Sequence, residues 1–368
     1  MQPLTKRVSM IELFYDLVFA YMISQTTELL HNLQHGIVSF NSFMLFFLIV
    51  IVFINSWIIQ TVFTNRYGQS SWTDVTFYFL DMIILLFMTN SFTVINFQNL
   101  RIFFVAAGLL SLTLGMQYLL VYFKTDQSID KRISIAFFRI TLTRTVFLLV
   151  GAIFNNLFGF ILASIGIICS WILPAFTGKI TKKHPIIFSH LLERLTLLII
   201  ITFGETIIDI ADYFKPTHFS IFSILIFLIV AGLFFSYITE FDHLINEKQT
   251  NATGNLLIYL HYFILFGLSL VTVSLKLINE PETSIVFANS CLYGGMLLFY
   301  IGLFLANNYN TEHFKLKINE GIAIICLIII GYLINTFTLR FELIVISSAI
   351  IVILNSAILV KKLYQHYY

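Results

Sequence analysis

Residues 11–19 read Ile11-Glu12-Leu13-Phe14-Tyr15-Asp16-Leu17-Val18-Phe19 and place two carboxylates one helical turn apart in an otherwise apolar segment. A charge in hydrocarbon is costly unless it faces a protein interior, a partner or water, so an intramembrane acid is a functional-site candidate by default. The segment therefore predicts a membrane-spanning helix, and it marks Glu12 and Asp16 as candidate site residues.

The whole chain has the composition of an integral membrane protein. Of its 368 residues, 58% are hydrophobic, 11% are charged and 40 are Phe, which leaves too little polar surface for a soluble globule. The formal net charge of +2 excludes a broad basic face of the kind that binds nucleic acid. The three cysteines lie inside apolar runs without paired spacing, so no disulfide framework is predicted.

Apolar runs long enough to cross a bilayer occur twelve times along the chain. Polar residues, Pro and Gly separate them. The predicted spans lie at about 11–33, 41–64, 73–95, 102–123, 133–154, 157–177, 188–211, 219–239, 252–275, 286–306, 318–337 and 341–360.

The distribution of basic residues predicts the orientation of these spans. With the N-terminus in the cytoplasm, 14 of the 21 Lys and Arg residues fall on the cytoplasmic side, 4 fall on the other side and 3 lie within spans. This asymmetry is what the positive-inside rule expects. We therefore expect a multi-pass membrane protein with both termini in the cytoplasm.

A shift of about 180 residues brings several features of the chain into coincidence. Glu12 falls on Glu193 at an offset of 181, and Asp81 falls on His261 at an offset of 180. Each half, 1–180 and 181–368, would then hold six spans in the same orientation, as in transporters built from parallel repeats. The predicted fold is an all-α polytopic membrane protein with about twelve transmembrane helices in two parallel six-helix pseudo-repeats.

The seventh span carries a second group of polar residues, His190, Glu193, Arg194 and Glu205. At 100° per residue, a polar stripe forms from His190, Arg194, Glu205, Asp209 and Asp212. Glu12 and Asp16 of the first span lie at about the depth of His190 and Arg194. We therefore expect the first and seventh helices to face each other.

Further charges are predicted inside the membrane. Asp81 lies about two turns into the third span, and Arg139 and Arg144 lie in the fifth. Interhelical ion pairs that stabilise packing are the structural explanation for such charges, and this explanation applies best to the two arginines. For Asp16, Glu205 and His190 we favour a functional role.

The chain resembles the bacterial low temperature requirement A (LtrA) family. The resemblance rests on Glu12-Leu-Phe-Tyr-Asp16-Leu-Val-Phe in the first span, on Asn65-Arg66-Tyr67 at the end of the second, and on His190-Leu-Leu-Glu193-Arg194 with Gly204-Glu205 in the seventh. It extends over essentially the whole chain. It implies a multi-pass inner-membrane protein and does not specify a reaction.

Three classes of function remain open. A secondary transporter would bind an unidentified small solute, and a carboxylate or His190 would exchange a proton as access alternates between the two sides. The substrate- or proton-binding candidates are Glu12, Asp16, Asp81, Arg144, His190, Glu193, Arg194, Glu205 and His261. An intramembrane enzyme would use Glu193 or His190 as a general base toward a lipid-borne substrate. A structural or stress-related membrane protein is the third class.

Metal or redox chemistry is the weakest alternative. His190 and His261 would have to act as axial ligands, but no pair of ligands at helical spacing supports a metal. We expect no cofactor and no metal. The expected partners are the lipid bilayer and a small solute or proton, and the oligomeric state stays open.

Overall fold

The computed structural model describes residues 6–31, 33–91, 100–154, 156–249 and 253–364. Thirteen α-helices account for most of this part of the chain. They are α1 Met10–Thr27, α2 Phe40–Tyr67, α3 Trp72–Thr89, α4 Leu100–Lys124, α5 Ser128–Ile153, α6 Leu157–Phe176, α7 Gly178–Thr181, α8 Phe188–Ile210, α9 Ile221–Ile238, α10 Asn255–Leu277, α11 Ile285–Ala306, α12 Ile318–Thr338 and α13 Phe341–Tyr364.

Each of the twelve predicted spans contains one helix of at least 18 residues, and α7 is a short additional turn. Ten of the described helices are long and apolar enough to cross a membrane. The two long helices outside that set, α1 and α8, carry the acidic and basic residues of the first and seventh spans. The all-α polytopic architecture is therefore confirmed.

The first span is shorter than predicted. The helix α1 ends at Thr27, and a 3-10 turn, Glu28–Leu30, follows it. Next comes a two-residue hairpin in which β1, Leu33–Gln34, pairs antiparallel with β2, Ile37–Val38. Residue 95, the predicted end of the third span, and residue 252, the predicted start of the ninth, lie outside the described residues.

The chain divides into two compact units. The first comprises Met1–Leu29, Phe40–Leu197 and Lys248–Asn255, and the second comprises Leu30–Ser39, Leu198–Glu247 and Leu256–Tyr368. The predicted duplication of 1–180 and 181–368 stays a prediction.

The long helix α2 is the core of the first unit. It is buried on several faces, and polar as well as apolar side chains are buried along its second half. The neighbouring helices α5 and α6 approach closely at Gly151 and Gly159. A Cβ on Gly151 would lie only 2.6 Å from the carbonyl oxygen of Gly159. The first unit thus contains buried polar side chains, carried by α2, within a largely apolar interior.

The helix α10 has the corresponding buried position in the second unit. It packs against α11 at Gly267 and Gly295, where a Cβ on either residue would lie 2.6 Å from the carbonyl oxygen of the other. The helix α9 packs against α13, and its last turn continues as a π-helical segment, Thr239–Leu244.

Candidate functional site

The helix α1 presents two buried carboxylates from one face. Glu12 and Asp16 are separated by one turn, and their exposed fractions are 0% and 1%. Glu12 also closes the helix N-terminus, because its Oε2 accepts hydrogen bonds from the Ser9 N–H and from Ser9 Oγ, each at 2.8 Å. The sequence Ser9-x-x-Glu12 therefore leaves the other oxygen, Oε1, for a partner on another helix.

That partner is the N-terminal part of α8, which lies in the same unit. Nε2 of His190 lies 3.2 Å from Glu12 Oε1, and Nη1 of Arg194 lies 3.8 Å from the same oxygen. Nη2 of Arg194 forms an ion pair with Asp16 Oδ1 at 2.9 Å. His190 and Arg194 are fully buried. The first and seventh predicted spans thus face each other through these four side chains, which we call the α1–α8 charge cluster.

The helix α2 lines the charge cluster with residues spaced four apart. Trp57 donates its indole N–H to Asp16 Oδ1 at 2.7 Å, and its ring lies 5.1 Å from the guanidinium carbon of Arg194. Thr61 Oγ1 accepts a 3.3 Å hydrogen bond from Arg194 Nη2. Because these residues share one face of α2, a single helix supplies both contacts.

Asn65, one turn further along α2, determines which ring nitrogen of His190 carries a proton. Its Oδ1 accepts from the Ile187 N–H at 2.8 Å and its Nδ2 donates to the Ile187 carbonyl at 2.9 Å, so the amide orientation is defined. The same Nδ2 lies 3.1 Å from His190 Nδ1. Nδ1 is therefore an acceptor, and the proton of a neutral His190 resides on Nε2, which is the nitrogen near Glu12.

Asp81 belongs to a separate polar network in the same unit. Its two carboxylate oxygens contact Thr113 Oγ1 and, at 3.3 Å, Gln117 Nε2. Gln117 is also paired with Gln60 of α2 through its amide. Asp81 is fully buried. Among the described residues it forms no ion pair.

The two arginines of the fifth span have different environments. Arg144 is fully buried, and its Nη2 donates to Ser56 Oγ at 2.8 Å and to the Val52 carbonyl at 3.2 Å, both on α2. Arg139 is exposed. The prediction that Arg139 is a buried counter-charge is therefore wrong.

The other polar residues predicted on the seventh span lie on an exposed face, in the second unit or beyond the end of α8. Glu193 is exposed although it lies between His190 and Arg194 in the sequence, because its position places it on the outer face of α8. Glu205 is buried and belongs to the second unit. The predicted polar stripe does not continue to Asp212, which is exposed in a 3-10 turn and pairs with Lys215 at 2.8 Å.

His261 lies in the core of the second unit. Its Nδ1 contacts the Leu257 carbonyl at 2.6 Å, its Nε2 contacts Tyr237 Oη at 3.1 Å, and its ring packs edge-on against Phe241. Both nitrogens are therefore engaged, as in a histidine that is hydrogen-bonded within a helical core.

Sequence reasoning missed several residues that the structure brings to the site. Asn65 was recognised only as part of a family motif, and Trp57 was not predicted to lie near the charged residues. Their spacing of eight along one helix was the available signal, because polar or amphipathic side chains at every fourth position of an apolar helix indicate a buried polar face. Glu240 was also missed. It is fully buried in the π-helical segment, a type of structure that often occurs at functional sites.

The fold and this buried charge cluster together define a polytopic α-helical membrane protein with ionisable side chains in its interior. The sequence pattern of the bacterial low temperature requirement A protein (LtrA) matches residues 7–359. The chain therefore belongs to the LtrA family. No curated protein and no solved structure matches it.

Proposed function

We propose that this protein is a proton-coupled secondary transporter of a small solute, with the α1–α8 charge cluster as its proton-exchange site. The observation that carries the proposal is that two buried carboxylates, Glu12 and Asp16, share one guanidinium, Arg194. The Asn65 amide donates toward His190 Nδ1, a contact that suits the neutral imidazole.

The charges of the cluster do not balance. With both carboxyl groups ionised, the cluster has two negative charges and one positive charge. An uncompensated charge in a buried site is costly, so the cluster gains stability when it binds one proton or cation. Intramembrane acids that exchange protons are a recurring component of transporters and pumps.

Protonation of the cluster would change a contact between helices. The Arg194–Asp16 ion pair joins α8 to α1, and Trp57 of α2 donates to the same Asp16 oxygen. A proton on Asp16 removes the charge that attracts Arg194, and Glu12 then becomes the remaining carboxylate for that guanidinium. Protonation would therefore favour one arrangement of α1 and α8 over another. Such a difference in free energy is required if proton binding is to be coupled to a conformational change.

The other buried candidates, Asp81, Arg144, Glu205 and His261, are proposed to bind solute or to relay protons in the same cycle. The proposed location is the bacterial inner membrane, with both termini in the cytoplasm. Fusion of a cytoplasm-active reporter and of a periplasm-active reporter to the C-terminus tests this orientation, since only the cytoplasmic reporter should be active.

The transport proposal is tested in proteoliposomes that contain a trapped pH-sensitive dye. A panel of amino acids, organic acids, sugars and amines is added from outside, and solute-dependent proton movement is recorded. The variants are Asp16→Asn and Glu12→Gln, and the matched control is Glu193→Gln, which removes a carboxylate from the exposed face of the same unit.

We expect at least one solute class to move protons in the parent protein and in Glu193→Gln. We expect Asp16→Asn to abolish the proton movement and Glu12→Gln to reduce it by tenfold or more, about the effect of losing one hydrogen bond to a charged group. Equal proton movement in the parent and in Asp16→Asn would exclude the charge cluster as the exchange site. Absence of solute-dependent proton movement in the parent would contradict the transporter proposal itself.

A further inference from the structure

A partly open cavity of about 420 Å³ lies in the first unit, away from the charge cluster. It is bounded by the C-terminal ends of α2 and α4 and by the N-terminal ends of α3 and α5. Its volume is in the range of sites that hold small molecules or the head of a larger ligand. Phe63, Phe77 and Leu120 provide an apolar wall, and polar and charged residues provide most of the rest.

The acidic residues of the cavity are already engaged by the protein. Asp74 lies in the first turn of α3, where its Oδ2 accepts from the N–H groups of Gln69 and Ser71, each at 3.0 Å. Asp130 lies in the first turn of α5, and its Oδ1 contacts His184 Nδ1 at 2.5 Å and Tyr67 Oη at 3.3 Å. Both carboxylates therefore have internal partners and favourable positions at helix N-termini.

The cationic residues of the cavity use few of their hydrogen-bond donors within the protein. Arg66 is partly buried, and its Nε donates to the His184 carbonyl at 3.1 Å. Its Nη1 is shielded from solvent and has no hydrogen-bond partner. Lys124, the exposed last residue of α4, also lines the cavity. Within the described part of the chain neither cation forms an ion pair.

We propose that this cavity binds the phosphate group of an anionic ligand, with Arg66 and Lys124 as the charged contacts and His184 as an additional polar contact. A guanidinium is well suited to phosphate because it presents several donors in one plane. The His184 carbonyl accepts a hydrogen bond from Nε of Arg66 and does not use Nη2. The site is independent of the charge cluster and does not depend on the transport proposal.

The cavity lies at the ends of four predicted spans, where both the aqueous phase and the lipid headgroups are near. A phosphate group could therefore come from a soluble phosphate ester or from an anionic lipid headgroup. The experiment uses full-length protein in two arms. In the first, protein in a neutral detergent and phosphate-free buffer is titrated with inorganic phosphate and with glycerol 3-phosphate, and binding is measured by calorimetry. In the second, thermal unfolding is measured in phosphatidylcholine nanodiscs with and without phosphatidylglycerol.

The variants are Arg66→Gln and Lys124→Gln, and the matched control is Lys182→Gln, which removes an exposed cation that does not line the cavity. Lys124 is exposed, so its replacement keeps the test valid even if Arg66→Gln folds poorly. We expect the parent and Lys182→Gln to bind equally. In the calorimetric arm, each cavity variant should lose about tenfold or more in affinity. In the nanodisc arm, each cavity variant should lose the gain in thermal stability that phosphatidylglycerol gives the parent.

The arms separate the two sources. Binding in the calorimetric arm identifies a soluble phosphate compound. A gain in thermal stability that occurs only with phosphatidylglycerol identifies a lipid headgroup. Absence of binding in both arms overturns the proposal. An equal response of the parent and Lys124→Gln also overturns it, because the contact would then be nonspecific attraction to a basic surface.

Discussion

Nη2 of Arg194 lies 2.9 Å from Oδ1 of Asp16, and both side chains are almost completely buried. The contact joins the guanidinium of the charge cluster to a carboxylate that also accepts the Trp57 indole N–H. A buried ion pair contributes little when both partners are present, but it is costly to break from one side.

Asp16→Asn is therefore expected to lower the free energy of unfolding by about 1–3 kcal/mol, because Arg194 loses its closest partner while the Glu12 carboxylate remains near its guanidinium. The double variant Asp16→Asn with Arg194→Gln is expected to cost less than the sum of the two single variants, because the two side chains are in direct contact. Thermal unfolding in detergent measures both effects as a double-mutant cycle. The control is Glu312→Gln, which breaks the exposed Lys315–Glu312 pair at a cost of about 0–1 kcal/mol. An equal cost in stability for Asp16→Asn and Glu312→Gln would contradict the expectation.

Trp57→Phe is expected to destabilise the protein by about 1.5–3 kcal/mol, because it removes the 2.7 Å hydrogen bond to the Asp16 carboxylate and keeps an aromatic ring near Arg194. The matched substitution is Trp72→Phe, since Trp72 is 88% exposed and has a much smaller expected effect. Thermal unfolding of the two variants gives the comparison. If Trp72→Phe proves as damaging as Trp57→Phe, the indole–carboxylate bond is not the source of the stability.

Asn65→Ala is expected to cost about 2–3 kcal/mol, since it removes two hydrogen bonds to Ile187 and one contact with His190. Hydrogen exchange at the Ile187 amide should accelerate, because that N–H donates to Asn65 Oδ1. In Asn65→Asp an acceptor oxygen remains, so the Ile187 amide should stay protected while the donor to His190 is lost. Equal exchange at Ile187 in the parent and in Asn65→Ala would show that this amide has another acceptor.

His31 should make the second unit less stable in mild acid. It lies in the loop after the 3-10 turn, with Nδ1 3.3 Å from Lys276 Nζ and Nε2 3.9 Å from the buried Asp209. Burial, and then the Lys276 ammonium, lower the pKa of His31 from 6.5 to about 4, although Asp209 opposes the shift. Between these two pKa values the unfolded chain binds a proton that the folded protein does not, so the free energy of unfolding falls as the pH decreases through that window.

The expected loss from His31 is about 2 kcal/mol between pH 7 and pH 5. His31→Gln should remove this part of the pH dependence, whereas His243→Gln, at a half-exposed position, should retain it. Thermal unfolding of the three proteins at the two pH values tests the prediction. The same slope in the parent and in His31→Gln would contradict it.

The number and positions of the long helices could be predicted because each is specified by a local property. Twelve apolar runs predicted twelve helices, and most boundaries agree to within a few residues. The exceptions are the end of α1 at Thr27, which a 3-10 turn and a hairpin follow, the end of α3 at Thr89 and the start of α5 at Ser128. The facing of α1 and α8 was also predictable, because Glu12 and Asp16 required partners of opposite charge at the same depth.

The partners from α2 were not predictable in the same way. Trp57 and Asn65 are uncharged, so no charge balance pointed to them, and only packing shows that they contact Asp16 and His190. Glu193 illustrates the opposite error, because its proximity in sequence to His190 and Arg194 did not place it on their face of α8. The prediction that Arg139 is buried on α5 was wrong for the same reason.

The amino-acid sequence by itself determined that this protein is a bundle of membrane-spanning helices, because apolar length and the cost of unpaired backbone groups in lipid leave few other solutions. It also determined that charges lie inside the bundle. Only the tertiary structure decided which of them meet, because the rotation of each helix about its axis depends on side-chain packing between helices and not on local composition. That rotation buries Arg194 against Asp16 and leaves Glu193, the residue beside it, on the outside.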